Sequence, residues 1–198
     1  AYRYEGNKEG TPEKIIQMAM NGISVRDTSR VLGVSITTVI AHLKKIKTRQ
    51  GQPQPIQAIM EHHEVELGCE IDSSGRFDHK KQQRWLWYAW QPHLKTVLAY
   101  ELGTRAAATL TRLLTLLSAF KIRVYCTDGW EAYQRLLPVD KHLITKRYTQ
   151  SIERQNLNFQ TRTKRLARKT LCFSRFVDIH DKVIGEFINQ MFFHSSKS

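Results

Sequence analysis

Residues 123–130 read Arg-Val-Tyr-Cys-Thr-Asp-Gly-Trp, and the parsing of this stretch decides the fold. Ile122 to Cys126 are β-branched or aromatic enough for a short buried strand, and Thr127-Asp128-Gly129 breaks that pattern into a turn. A helix is expected from Trp130. An acid at the C-terminal end of a central strand faces the crevice where open α/β sheets place their ligands. Alone, Asp128 could equally be a turn residue or a helix cap. Its weight comes from what else in the chain points toward it.

Upstream, Val65, Leu67, Cys69 and Ile71 alternate with Glu66, Gly68, Glu70 and Asp72, which predicts a strand with one packed face. The turn-rich segment 73–81 follows. Trp85–Trp90 and Thr96–Tyr100, joined around Gln91-Pro92-His93, complete an antiparallel meander. Thr104 is positioned to cap a helix whose stripe is Leu110, Leu113, Leu114 and Leu117. Downstream of Asp128 the pattern predicts a helix over 130–137 and a short strand at Leu143-Ile144. A basic helix then runs from Ser151 toward Lys169, and an amphipathic one covers 174–193.

Three strands, helix, strand, helix, strand, helix describe an α/β layered sheet of mixed strand direction. This order resembles the ribonuclease H-like fold. Nucleic-acid-cutting enzymes of that fold place acids on the first strand, after the fourth strand and on a late helix. Asp72, Asp128 and Glu153 occupy those places.

The N-terminal part is different. Thr11-Pro12-Glu13 carries a capping residue, a first-turn Pro and a first-turn acid, followed by the apolar stripe Ile15, Ile16, Met18 and Ala19. Ser24 opens a second helix that stops at Gly33, and Ser35 caps a third. Two short helices across a tight Gly turn, after a first helix, predict a helix-turn-helix. The last helix of that motif enters the major groove. Ser35, Thr37, Thr38 and His42 are the candidates for base edges, and Arg26, Arg30, Lys44 and Lys45 for phosphates. Segment 47–62, with its X-Pro steps, reads as a linker. The expected domains are therefore 1–46, DNA-binding and all-α, and 63–198, catalytic and ribonuclease H-like with C-terminal helices.

Charge fixes the partner class. Thirty-one Lys and Arg against 18 acids give a net charge of +13, which calls for a polyanion. No apolar run reaches the roughly 18 residues of a membrane span, and no Lys-rich amphipathic helix suits a membrane surface. The expected partner is double-stranded DNA, and no membrane. With no signal-peptide pattern, the expected compartment is the cytoplasm. Cys69, Cys126 and Cys172 lie far apart outside any C-x-x-C and are expected as reduced, packed thiols.

Carboxylates gathered in so basic a chain make chemical sense around divalent cations. Mg²⁺ takes oxygen ligands and leaves positions for water and phosphate. Two ions about 3.5–4 Å apart assist in-line displacement at phosphorus. The expected cofactor is two Mg²⁺, with Mn²⁺ able to substitute, on Asp72, Asp128 and Glu153. Glu70 rivals Asp72, and Asp78 and Glu131 are weaker rivals. Lys146, Arg147, Arg154, Arg162, Arg165 and Arg168 are expected to bind DNA phosphates, with Trp130 and Asn156 beside the substrate. Trp85, Trp87, Tyr88 and Trp90 read as core rather than as a base-stacking platform. The adjacent pair His62-His63 lacks further ligands for a metal site.

On these residues the chain resembles the transposases of the insertion sequence 1 family. The resemblance is carried by Glu70-Ile-Asp72, Gln83-Arg-Trp-Leu86, Thr127-Asp-Gly-Trp130, Lys146-Arg-Tyr-Thr-Gln150, Ile152-Glu-Arg-Gln-Asn-Leu-Asn158, His180-Asp-Lys-Val-Ile-Gly185 and the helix-turn-helix stretch 14–22. It covers nearly the whole chain from about residue 11. It implies an Asp-Asp-Glu transposase that cleaves transposon ends and transfers strands into target DNA, at least as a dimer. Family members usually carry a zinc ribbon before the helix-turn-helix; this chain has no paired cysteines for one, so no zinc is assigned. Its start at Ala1 is what a trimmed or partial protein would show. The competing functions are a helix-turn-helix regulator with an inactive nuclease-like domain and a metal-dependent DNA nuclease.

Overall fold

The computed structural model describes residue 6 and residues 8–46, 61–71, 85–145, 149–162 and 177–193. Three helices come first: α1 Thr11–Met20, α2 Val25–Leu32 and α3 Ile36–Lys45. Ser24 and Ser35 cap α2 and α3 as expected, accepting from the backbone N–H of Asp27 at 3.0 Å and Thr38 at 3.1 Å. Gly33 ends α2 at φ 64°, a left-handed conformation that glycine adopts without a Cβ penalty. Thr11 is not the cap it was expected to be. Gly10, at φ 82°, holds that position, so Thr11 is the first helical residue.

The sheet has five strands in the order β3-β2-β1-β4-β5. They are β1 Glu61–Ile71, β2 Trp85–Gln91, β3 Thr96–Gly103, β4 Lys121–Thr127 and β5 His142–Ile144. Pairs β1–β2 and β2–β3 are antiparallel, while β1–β4 and β4–β5 are parallel. The mixed sheet is thus present, with β1 at its centre.

Alternation on β2 sends side chains to two separate cores. Trp87 and Ala89 join Val65, Leu67, Leu110, Leu113 and Tyr133 on the face covered by α4 Ala107–Leu117 and α5 Glu131–Leu136. Leu86, Tyr88 and Trp90 face α6 Thr149–Arg162 and α7 Val177–Ile188, meeting Phe159, Ile184 and Ile188. The chain then continues in a π-helical turn, Asn189–Phe193. A bulge where the register shifts between Ala89 and Trp90 puts both Leu98 and Ala99 into the first core.

Helix α4 begins later than its sequence suggested. Its N-cap is Ala106, not Thr104. The buried indole of Trp87 donates to the Thr104 carbonyl at 3.2 Å, and a buried N–H needs such an acceptor. Helix α7 serves two cores: Ile179 and Val183 complete that of α1–α3, and Ile184 and Ile188 that of the sheet. Lys182 Nζ donates to the Lys44 carbonyl at the end of α3, at 2.7 Å.

A Cβ at Gly103 would stand 2.7 Å from both Cγ2 and Oγ1 of buried Thr109, whereas at Gly129 it would meet nothing within 4 Å. Gly103→Ala should therefore lower stability by about 1–3 kcal/mol and Gly129→Ala should leave it nearly unchanged, as read from paired urea denaturation curves.

Candidate active site

Asp128 lies one residue past the C-terminal end of β4 and is exposed. Its Oδ1 accepts the backbone N–H of Trp130 at 3.1 Å, which fixes the carboxylate over the turn into α5. Behind it runs a short relay. The Thr127 hydroxyl donates to the Asp128 carbonyl at 2.8 Å, so its oxygen accepts from His142 Nε2 at 2.6 Å. Burial lowers the His142 pKa, which favours the neutral ring. Neither Thr127 nor His142 was singled out from sequence. A threonine closing a strand beside an acid, with a histidine opening the next strand, is the signal that was there to be read.

Glu153 lies on the exposed side of α6. That helix buries Gln155 and Phe159 and half-buries Ile152 against the β2 face. The fully buried Tyr88 of β2 reaches up to it. Its hydroxyl hydrogen-bonds the Ile152 carbonyl at 3.4 Å and Asn156 Oδ1 at shorter range. Phe159 packs edge-on to the same ring, 5.2 Å between centroids. Asn156, expected beside the substrate, thus spends its carbonyl oxygen on the sheet one turn from Glu153. Tyr88, read from sequence only as core, is the residue that sets the seat of this helix.

The first acid falls outside the described residues, as Asp72 is just beyond β1. Its rival Glu70 is in β1, paired with Leu86 in register. The parallel pairing of Glu66 with Cys126 leads toward Asp128 at the next step along both strands. Two acids thus sit on elements that adjoin β1: Asp128 on its parallel neighbour β4, and Glu153 on the helix packed over β2. Among the described residues no group of three or more His, Cys, Asp and Glu forms a metal cluster.

The other expected residues divide. Trp130 packs with Trp87 at 5.3 Å and Tyr133 at 5.5 Å, with the Arg105 guanidinium 5.5 Å over its ring. It belongs to the α4–α5 side of the sheet, away from α6. Arg154 and Arg162 are exposed on α6. Lys146, Arg147, Arg165 and Arg168 lie outside the described residues. In the N-terminal module, Arg26, Arg30, Ser35, Thr37, Lys44 and Lys45 are exposed, Arg30 pairing with Asp27 at 2.8 Å. Thr38, expected at the base edges, is instead buried, and its hydroxyl meets that of Ser35 at 2.8 Å inside the cap. His42 is half-buried against the Gly6 carbonyl at 3.2 Å.

Two family models fit this chain side by side. Residues 66–194 match the IS1 transposase model, and residues 2–47 match the InsA C-terminal domain, a helix-turn-helix model. The chain belongs to the IS1 transposase family. It is 50% identical over 129 residues to the insertion element iso-IS1n protein InsB of Shigella dysenteriae, covering 65% of this chain and 98% of that one. With an IS1 InsB protein of Escherichia coli K12 it shares 44% over 149 residues, 74% of this chain and 86% of the relative. A chain in the cryoEM structure of a simian T-cell lymphotropic virus intasome is a distant likeness (12% identity, 93% of this chain and 71% of that chain, TM-score 0.43). As an IS1-family transposase the protein is a DNA-cutting and DNA-joining enzyme, built on a mixed five-stranded sheet.

Tyr88→Phe should lower stability by only about 0.5–1.5 kcal/mol, the net worth of one hydrogen bond. It should cut strand transfer by about tenfold or more and raise the divalent-ion concentration needed for half-maximal rate, with DNA binding retained. An ion requirement like that of the wild type would show that the tether does not position Glu153.

Proposed function

We propose that this transposase binds transposon ends through residues 1–46, cuts the DNA beside them, and joins the freed 3′-hydroxyl to target DNA at a site built from Asp72, Asp128 and Glu153. The observation that carries this reading is the placement of Asp128 and Glu153, both exposed, on two elements that adjoin the central strand. Exposed acids on elements beside the central strand, in a chain of net charge +13, are suited to chemistry on a polyanion.

The donor set fits a hard divalent cation. Asp128 uses one oxygen for the Trp130 N–H, and its other oxygen has no hydrogen bond among the described residues. Glu153 has no ion-pair partner among them either. Hydrated carboxylate oxygens on rigid elements are what Mg²⁺ takes, and Mn²⁺ is an acceptable substitute. When bound, the ions would supply charge neutralisation and nucleophile activation for in-line displacement. The protein's part is positional: the Thr127–His142 relay fixes the Asp128 backbone, and Tyr88 fixes the helix bearing Glu153. In the first step water adds to phosphorus and the bond to the 3′ oxygen breaks, leaving a 3′-hydroxyl. In the second, that hydroxyl attacks a target phosphodiester and expels its 3′ oxygen.

Exposed Arg26, Arg30, Lys44 and Lys45 are assigned to phosphates of the end duplex, and Thr37, Ser35 and His42 to the groove side of α3. Two ends must be joined, so a dimer or higher assembly is the expected active form.

Asp128→Asn and Glu153→Gln should each abolish cleavage and strand transfer of a labelled end duplex, by about 10³-fold or more, while gel shift of the same duplex is retained. Asp72→Asn and Glu70→Gln, assayed together with them, decide the first acid: the one whose loss is equally severe holds that role. Cutting without joining would mark a nuclease, and binding without cutting by the wild type would mark a regulator.

A further inference from the structure

Across α6 from Glu153 runs a groove of about 410 Å³ between that helix, the β2–β3 turn and the π-helical turn. Its rim carries Lys95, Arg154 and Arg162, with Asn158 between the two arginines, and its wall is Trp90 and Phe192, packed edge to face at 6.1 Å. No acid lines it. Arg154, Asn158 and Arg162 are spaced four apart on α6, so they share one flank. At 3.6 residues per turn that flank is centred about 140° around the helix from Glu153. It is therefore a different surface from the acid site.

Lys95 supplies a second observation. It is exposed, has no ion-pair partner among the described residues, and sits at φ 51°. That left-handed conformation suits Gly or Asn, and a long side chain is uncommon there. The turn is pinned by the His93 N–H donating to Oε1 of buried Gln91 at 3.1 Å. A cation is thus held at the lip of the groove where a glycine would relieve the backbone. Strain kept at one residue is a pointer to use of its side chain.

We infer that this groove holds a single strand of DNA, unpaired nucleotides adjoining the phosphodiester that is cut. Its volume is that of a small-ligand cleft, not of a duplex footprint. Cations beside aromatic walls are the combination that binds single strands without reading sequence. A strand crossing a helix about 10–12 Å wide reaches both flanks, one phosphate at Glu153 and the next unpaired nucleotides at Arg154, Asn158 and Arg162. This rests on the proposed role of Glu153 for the strand's path, but not for the groove's chemistry.

The test is fluorescence anisotropy with the full chain carrying Glu153→Gln, using a labelled single strand of about ten nucleotides and, separately, the duplex end. Lys95→Gly and Arg162→Gln should each weaken single-strand binding about 3–10-fold and lower the salt slope by about 0.7. Duplex-end affinity should stay within about twofold. Lys95→Gly should not lower the melting temperature, because it removes a left-handed lysine, and Arg162→Lys should restore most of the salt slope. Unchanged single-strand affinity and slope, or an equal loss on single strand and duplex, overturns the inference. Failure of the acid assignment is seen separately, as strand transfer by the Glu153→Gln protein itself.

Discussion

One helix seated on one strand governs the rest of the catalytic unit. Helix α6 buries Gln155 and Phe159 over the Leu86–Tyr88–Trp90 face of β2 and leaves Glu153, Arg154 and Arg162 exposed. Apolar contact alone would let such a helix slide or rotate, because burial is non-directional. The Tyr88 hydroxyl removes that freedom by bonding the Ile152 carbonyl and Asn156, on either side of Glu153 in the first turns. In the site proposed for Glu153, a carboxylate displaced by even 1 Å would lose much of its value, so the proposal makes this directional bond matter more to function than to folding.

The same logic holds on the other side of the site. Asp128 follows a parallel strand that only a crossover helix can deliver, and α4 supplies it. The buried Glu101 accepts from Arg112 Nε at 2.8 Å, tying α4 to β3. At the end of β4 the Thr127–His142 contact links the last turn to β5. Helix α7 then connects this unit to the DNA-reading helices. Its Ile179 and Val183 point one way and its Ile184 and Ile188 the other, so the two cores share one rigid element. That helix fixes the N-terminal module to the sheet.

Much of this was legible in the sequence. Alternation at Val65–Ile71 and the β-rich run Ile122–Cys126 gave strands β1 and β4, and Ser24, Gly33 and Ser35 marked the ends of α2 and α3. Tertiary hydrogen bonds were not legible. Thr104 stands two residues before the cap of α4, with its carbonyl accepting from the buried Trp87 indole, and Gly10 rather than Thr11 holds the cap position of α1. Thr38 looks like a surface threonine in sequence, yet the Ser35 cap draws it inward. Tyr88 lies in the run WLWYAW, where periodicity assigns every residue to packing and cannot say which hydroxyl finds a helix. Asn156 lies one turn from Glu153, but its side chain bonds to the sheet, which spacing alone does not reveal.

The most direct test of the central claim, that Asp128 and Glu153 serve one ion pocket, is anomalous scattering from crystals of the full chain grown with Mn²⁺ and an end duplex. The account predicts a peak within about 2.0–2.4 Å of oxygens from both carboxylates, as expected for hard-ion coordination. Manganese bound elsewhere, or the two carboxylates facing opposite sides of the sheet, would contradict it.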